Sequence, residues 1–207
     1  PGVESAALAT RPLLGGYSSN DAISVNGAPP GQVLAYFLSV SPGWFETMKI
    51  PFAGGQDFRA GDTNPGAAVV SETFVREFFN GGNPVGRSFD EVTDEAQRRH
   101  FRVVGVVRDA RYRDVRGPFL PVAYLPFRAV RGDGSPQAAG QGTFLVRTAR
   151  SNPLSLAPYL RREVERSGRE FRVSNIRTQL EINQSQTIRE RLLAMLALFF
   201  AMVALLL

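Results

Sequence analysis

Cysteine is absent from the 207-residue chain. That excludes disulfides and thiolate metal sites, and it is compatible with an oxidising compartment without requiring one. Histidine occurs once, as His100. Alone it is a poor basis for a transition-metal site, and no Ser–His–Asp arrangement can be built around it with any security. Lysine is reduced to Lys49, so the 24 basic side chains are otherwise arginine. The arginines run from Arg11 to Arg191 with acids between them, a bias that fits a GC-rich genome better than a phosphate-binding stripe. With a net charge of only +5, no nucleic-acid partner is expected. Glu163 and Glu165 are two apart on a helix and do not face each other. Nucleophile, base and oxyanion donors assemble nowhere, so no catalytic residue, cofactor or metal site is expected. No charged leader or cleavage site precedes Pro1, and the expectation is a chain numbered from inside a longer polypeptide.

What is present is a globular pattern with 43% hydrophobic residues, enough for one domain in two lobes. Val3–Ala9, Val33–Val40, Ala67–Val70, Phe101–Val107, Pro121–Leu125, Thr143–Arg147 and Phe171–Ile176 read as strands. Ser41-Pro42 reads as the start of a short helix over Gly43–Met48 that buries Trp44 or Phe45. Gly54-Gly55 reads as loop. Ser71 is placed to cap a helix carrying Phe74, Val75, Phe78 and Phe79 on one face. Arg131–Gly142 reads as a mobile loop. Asn152-Pro153 opens a helix with Leu156, Ala157, Leu160 and Val164 on one side, ended by Gly168. Thr178 opens a polar helix that runs on toward the C-terminus. The order predicts an α+β fold, with a strand–helix–strand unit over Thr143–Ile176.

Three local patterns invite a chemical reading. Gly81–Ser88 fits G-x-x-x-x-G-[KR]-S, but a helix precedes it, Pro84 removes a donor and Arg87 stands in place of lysine, so a helix-to-strand turn is the better reading. Asp90, Glu91, Asp94 and Glu95 form an acidic cluster without the glycine and oxygen spacing of a calcium loop, and read as a solvated hairpin tip or helix face. Arg108, Arg111, Arg113 and Arg116, interrupted by Asp109 and Asp114, form a candidate docking surface for a partner or an anionic headgroup, weighed against an ordinary loop of local ion pairs.

The last feature is a run without a polar residue, Leu192–Leu207. As a helix it extends roughly 24 Å, short of the ~30 Å hydrocarbon core of a bilayer. It reads as the beginning of a transmembrane helix, with Arg189 and Arg191 placed to reach headgroups. The polar helix ahead of it, with Glu181, Gln184, Ile188, Arg189 and Arg191, is a candidate coupling stalk.

Taken in order, PGVESAALA (1–9), VSPGWFETMKIPFAGGQDF (40–58), VVSETFVREFFNGGNPVGRSF (69–89), FRVVGVVRDARYRDVRGPFLPVAYLPF (101–127), FLVRTA, LAPYLRREV and RERLLAMLALFFAMVALLL resemble the extracytoplasmic domain of MacB/FtsX-type ABC transporter permeases. The nearest resemblance is to the duplicated orphan permeases of acidobacteria. The resemblance implies a two-lobed periplasmic domain: a porter-like lobe from 1–39 and 127–177, N-terminally incomplete, and a smaller inserted lobe at 40–126. A stalk at 178–191 and a truncated transmembrane helix at 192–207 would follow. It implies a bacterial inner-membrane protein, not itself an enzyme, that couples ATP hydrolysis by a cytoplasmic ABC ATPase subunit or domain to periplasmic movement. A periplasmic adaptor and a permease dimer are further implied partners. The rival reading is a membrane-anchored periplasmic binding or sensor domain with no ATPase partner.

Overall fold

The computed structural model describes residues 2–94, 97–168, 171–186, 195–198, 200 and 202. Runs of β-branched and aromatic residues become β1 (Val3–Ala9), β2 (Ser19–Val25) and β3 (Leu34–Val40). They are followed by α1 (Trp44–Met48), β4 (Phe52–Gly55), β5 (Gly66–Ser71) and α2 (Glu72–Phe79). Next come β6 (Ser88–Asp94), β7 (Gln97–Val107), β8 (Val122–Pro126) and β9 (Thr143–Thr148). These elements make up the first of two units, Pro1–Thr148 and Ala149–Leu207.

The pairing is circular. β2 bonds to β6, β6 to β7, β7 to β5, β5 to β8, β8 to β3, and β3 back to β2. Six strands thus close into a ring, which removes the exposed edges that an open sheet must protect. The β3–β8 and β5–β7 pairs are parallel and the rest antiparallel. β3 pairs with β2 over Leu34–Phe37 and with Ala9 of β1 at Val40. β1 continues as an antiparallel ribbon with β9. The boundary expected at residue 40 therefore falls at the end of a strand whose earlier residues already belong to the ring.

Alternating side chains build a core on each side of the ring wall. Inside lie Ile23, Phe37, Val70, Phe101 and Leu125, met by Phe74 and Phe79 of α2. Phe89 stacks on Phe101 at 5.4 Å, and Phe74 lies 5.1 Å from Phe89. Outside, α1 brings Trp44 and Phe45 against Tyr124 at 5.4 and 5.0 Å. Both helix residues are fully buried, where the sequence suggested one or the other. With both faces covered, all five residues of β8 are buried.

Several expectations are corrected. Ser41 does not cap α1: its Oγ accepts from the Leu8 N–H at 2.9 Å, and Gly43 holds the cap position in left-handed geometry without a side-chain bond. Gly54 and Gly55 are strand, not loop, because β4 pairs with the end of β7. That pairing needs glycine on both sides. A Cβ on Gly105 would lie 2.5 Å from the Gln56 carbonyl oxygen, and one on Gly55 2.3 Å from that of Val104.

In the second unit, Asn152 caps a 3-10 turn (Pro153–Leu156) that leads into α3 (Ala157–Ser167). Phe171–Ile176 is not a strand. No described residue offers it a ladder, and the positive φ of Asn175 breaks extended geometry. The expected strand–helix–strand unit is therefore not formed. α4 (Gln179–Ser185) starts at a capping box in which Thr178 accepts from the Glu181 N–H and Glu181 accepts from the Thr178 N–H. Of the apolar run, Met195–Leu198, Phe200 and Met202 are helical and exposed. No described helix is long and apolar enough to cross a membrane.

Candidate functional site

The first unit gathers its polar side chains where β7 ends against the start of α2. Ser71 makes this junction: its Oγ accepts from the Phe74 N–H at 3.2 Å, capping α2, and from the Val122 N–H at 3.1 Å, tying the cap to β8. Beyond β7, Asp109 accepts from the Thr73 N–H and Thr73 Oγ1, each at 2.8 Å, and from Arg76 at 3.2 Å. A carboxylate beside unpaired helix N–H groups complements the helix dipole. Arg108 pairs with Glu72 at 3.0 Å. Arg108 and Asp109 thus clamp the first turn of α2 with opposite charges.

An open groove of about 750 Å³ lies beside this clamp, with Gly54, Glu72, Arg76, Arg108 and Asn83 among its lining. The glycine-rich turn at its rim does not cradle an anion. The N–H groups of Gly81, Gly82, Val85, Gly86 and Arg87 already donate to Val75 O, Phe79 O, Asn83 Oδ1, Val103 O and Pro84 O. Arg87 stacks over Phe79 at 4.8 Å. The turn reading of Gly81–Ser88 accounts for every one of these bonds.

The four candidate docking arginines share one connection but not one task. Arg108 belongs to the α2 clamp. Arg111 folds back, donating to the Gly117 carbonyl and covering the Phe119 ring at 4.1 Å. Arg113 and Arg116 are exposed, and the Arg116 N–H donates to Asp114 Oδ1 at 2.8 Å. Between Arg111 and Arg113, Tyr112 is buried and its hydroxyl donates to the Phe37 carbonyl at 2.8 Å; burial pushes its pKa up to about 12. Of the candidate stalk residues, Glu181 closes the α4 capping box and Gln184 is exposed on α4. Ile188, Arg189 and Arg191 lie outside the described residues.

The acidic cluster divides. Asp90 points outward and meets His100 at 2.7 Å. Glu91 points into the ring and is only 1% exposed. Arg99 Nη2 reaches its two carboxylate oxygens at 2.7 and 2.5 Å. Burial raises the Glu91 pKa, Arg99 opposes the shift, and Asp21 adds to it. A run of acids suggested a solvated tip. The signal that separates them is alternation, since Glu91 is two residues from buried Phe89 and shares its face. Among the described residues, no group of three or more His, Asp or Glu side chains could hold a metal ion.

Residues 1–156 match the model of the MacB-like periplasmic core domain. The fold is similar to the periplasmic region of MacB from Actinobacillus actinomycetemcomitans (17% identity, 80% of this chain and 68% of that one, TM-score 0.53). It is also similar to the extracellular domain of the noncanonic ABC-type transporter YknZ from Gram-positive bacteria (13% identity, 80% and 76%, TM-score 0.51). No curated protein sequence matches the chain significantly. The likeness to the solved structures is one of fold, and the sequence match is what decides the family: the chain belongs to the MacB-like periplasmic core domain family.

Proposed function

We propose that the chain is the extracytoplasmic domain of an ABC-type permease in a bacterial inner membrane, and that it transmits movement between the membrane and a periplasmic partner or cargo. The observation that carries this reading is the family match over residues 1–156, followed in the same chain by α4 and an unbroken apolar run. A bilayer is the solvent in which exposed Met195, Leu196, Leu198, Phe200 and Met202 cost nothing. On this reading the ring and its ribbon are the rigid body. Residues 178–191 are the stalk, 192–207 the start of a membrane helix, and 40–126 the inserted lobe. ATP hydrolysis belongs to a cytoplasmic ABC ATPase subunit or domain, and the domain itself performs no covalent chemistry. Arg108, Arg111, Arg113 and Arg116 are the proposed docking segment.

The test acts on the stalk in the complete transporter. A Gly-rich insertion at Gln184 is expected to leave the first unit folded and ATP turnover intact while abolishing transport. Transport at the unmodified rate would overturn the coupling role of the stalk.

A further inference from the structure

The outer wall of the ring is only partly covered over β3. Ala35 and Phe37 of β3 lie in the core, so Tyr36 and Leu34 face outward. The Tyr36 ring meets that of Tyr112 at 5.7 Å. The Tyr112 hydroxyl donates to the Phe37 carbonyl at 2.8 Å, and the Tyr112 carbonyl accepts from the Leu14 N–H at 2.9 Å. These contacts pin the segment 111–119 across β3. Leu34, at the rim of the ring, is left 41% exposed. Tyr36 pairs in parallel with Val122, and its N–H donates to the Pro121 carbonyl at 2.8 Å. The same register, run two residues back, sets Leu120 beside Leu34 and Phe119 next to both. Phe119 is 42% exposed, and the Arg111 guanidinium lies over its ring at 4.1 Å. Charge here is one-sided. Arg111, Arg113 and Arg116 share the segment with one acid, Asp114. On β2 the residues opposite Tyr36 and Leu34 are the uncharged Asn20 and Ala22.

We propose that Leu34, Phe119, Arg111 and Arg113 form a docking surface for an acidic protein segment that also carries an apolar side chain. The apolar side chain covers Leu34 and Phe119, and a carboxylate meets the exposed Arg113. Exposed apolar side chains rimmed by arginine are the composition of a protein interface. The pinned segment and the stacked Arg111–Phe119 pair favour a shaped partner over a lipid surface, which needs charge but no fixed placement. The inference rests on the docking reading given under the proposed function and narrows it. Arg108, held by Glu72 at the start of α2, is not part of this surface.

The experiment is photo-crosslinking in intact cells that make the complete transporter. A benzophenone side chain replaces Leu34 in one strain, Phe119 in a second and, as control, His100 on the outer face of β7 in a third. The adducts are isolated and the cross-linked peptide is sequenced. Positions 34 and 119 are expected to capture the same segment of another protein, with an acidic residue close to the cross-link, and position 100 is not. Arg113→Glu is expected to lower the yield at both positions by about tenfold, because it sets like charges face to face. Exchanging the acid of the captured segment for arginine is expected to restore the yield in that variant. No adduct above the level at position 100 would overturn the surface. So would an adduct with lipid, with a second copy of this chain or with a segment lacking acids, or a yield unchanged in Arg113→Glu. The Gly-rich insertion at Gln184 is scored separately: lost transport there, beside any of these contrary results, leaves the permease reading standing and removes only this surface.

Discussion

In the first unit Trp44, Phe74 and Phe101 have no exposed surface, whereas in the second Phe171, Leu180 and Leu198 are each more than half exposed. Both regions contain large apolar side chains, so composition does not separate them. The difference is partnership. Ring closure gives each inward-facing residue of Ser19–Pro126 a wall on every side, and α1 and α2 cover the remaining faces. Among the described residues of 149–207, Leu156 is buried, while the large apolar side chains Phe171, Leu180, Met195, Leu196, Leu198, Phe200 and Met202 are exposed. Burial therefore explains the sequence of the first unit, while the exposed apolar side chains at 195–202 of the second are what the proposed membrane helix would account for.

Substitutions sharpen this contrast, and the sole tryptophan, buried at Trp44, reports unfolding of the first unit in urea. Phe101→Ala empties the centre of the ring and is expected to destabilise the unit by about 3–5 kcal/mol. Gly105→Val places atoms against the Gln56 carbonyl and is expected to cost about 1–3 kcal/mol, or to detach β4 with loss of exchange protection at Gln56. Ser71→Ala removes the α2 cap and the acceptor for the Val122 N–H, for an expected loss of about 1–2 kcal/mol. Leu198→Ala is expected to shift the same transition by less than about 0.5 kcal/mol, because Leu198 packs into no core. A loss at Leu198 comparable with that at Phe101 would break the comparison.

Where a residue's role is local, most of the sequence reading holds, Ser41 being the exception because its hydroxyl is taken by the Leu8 N–H of β1 instead of capping α1. Ser71 caps the helix it was placed to cap, and Phe74, Val75 and Phe79 share the buried face that their spacing requires. Asn152 and Gly168 bracket their helical segment as expected. Where a role depends on a distant strand, it was hidden. Gly54-Gly55 has the composition of a loop and becomes strand because Gly105 lets a second backbone approach. Phe171–Ile176 has strand composition and no ladder to join. Glu91 sits in an acid run and is drawn inside by the register of β6 between β2 and β7. The docking arginines are legible as a cluster in sequence, but Arg108 is engaged by Glu72 and Arg111 by Gly117 and Phe119.

The central claim is that a folded extracytoplasmic body is joined through α4 to a lipid-embedded helix. Because this chain has no cysteine of its own, single cysteines placed in it report its topology once any cysteine elsewhere in the complete protein is replaced. Single cysteines introduced at Arg113 and at Leu198 in the complete protein are exposed, in intact cells with a permeable outer membrane, to a maleimide that cannot cross the inner membrane. The account expects labelling at 113 from outside and protection at 198 until the bilayer is dissolved with detergent. Equal labelling of both positions in intact cells would contradict it.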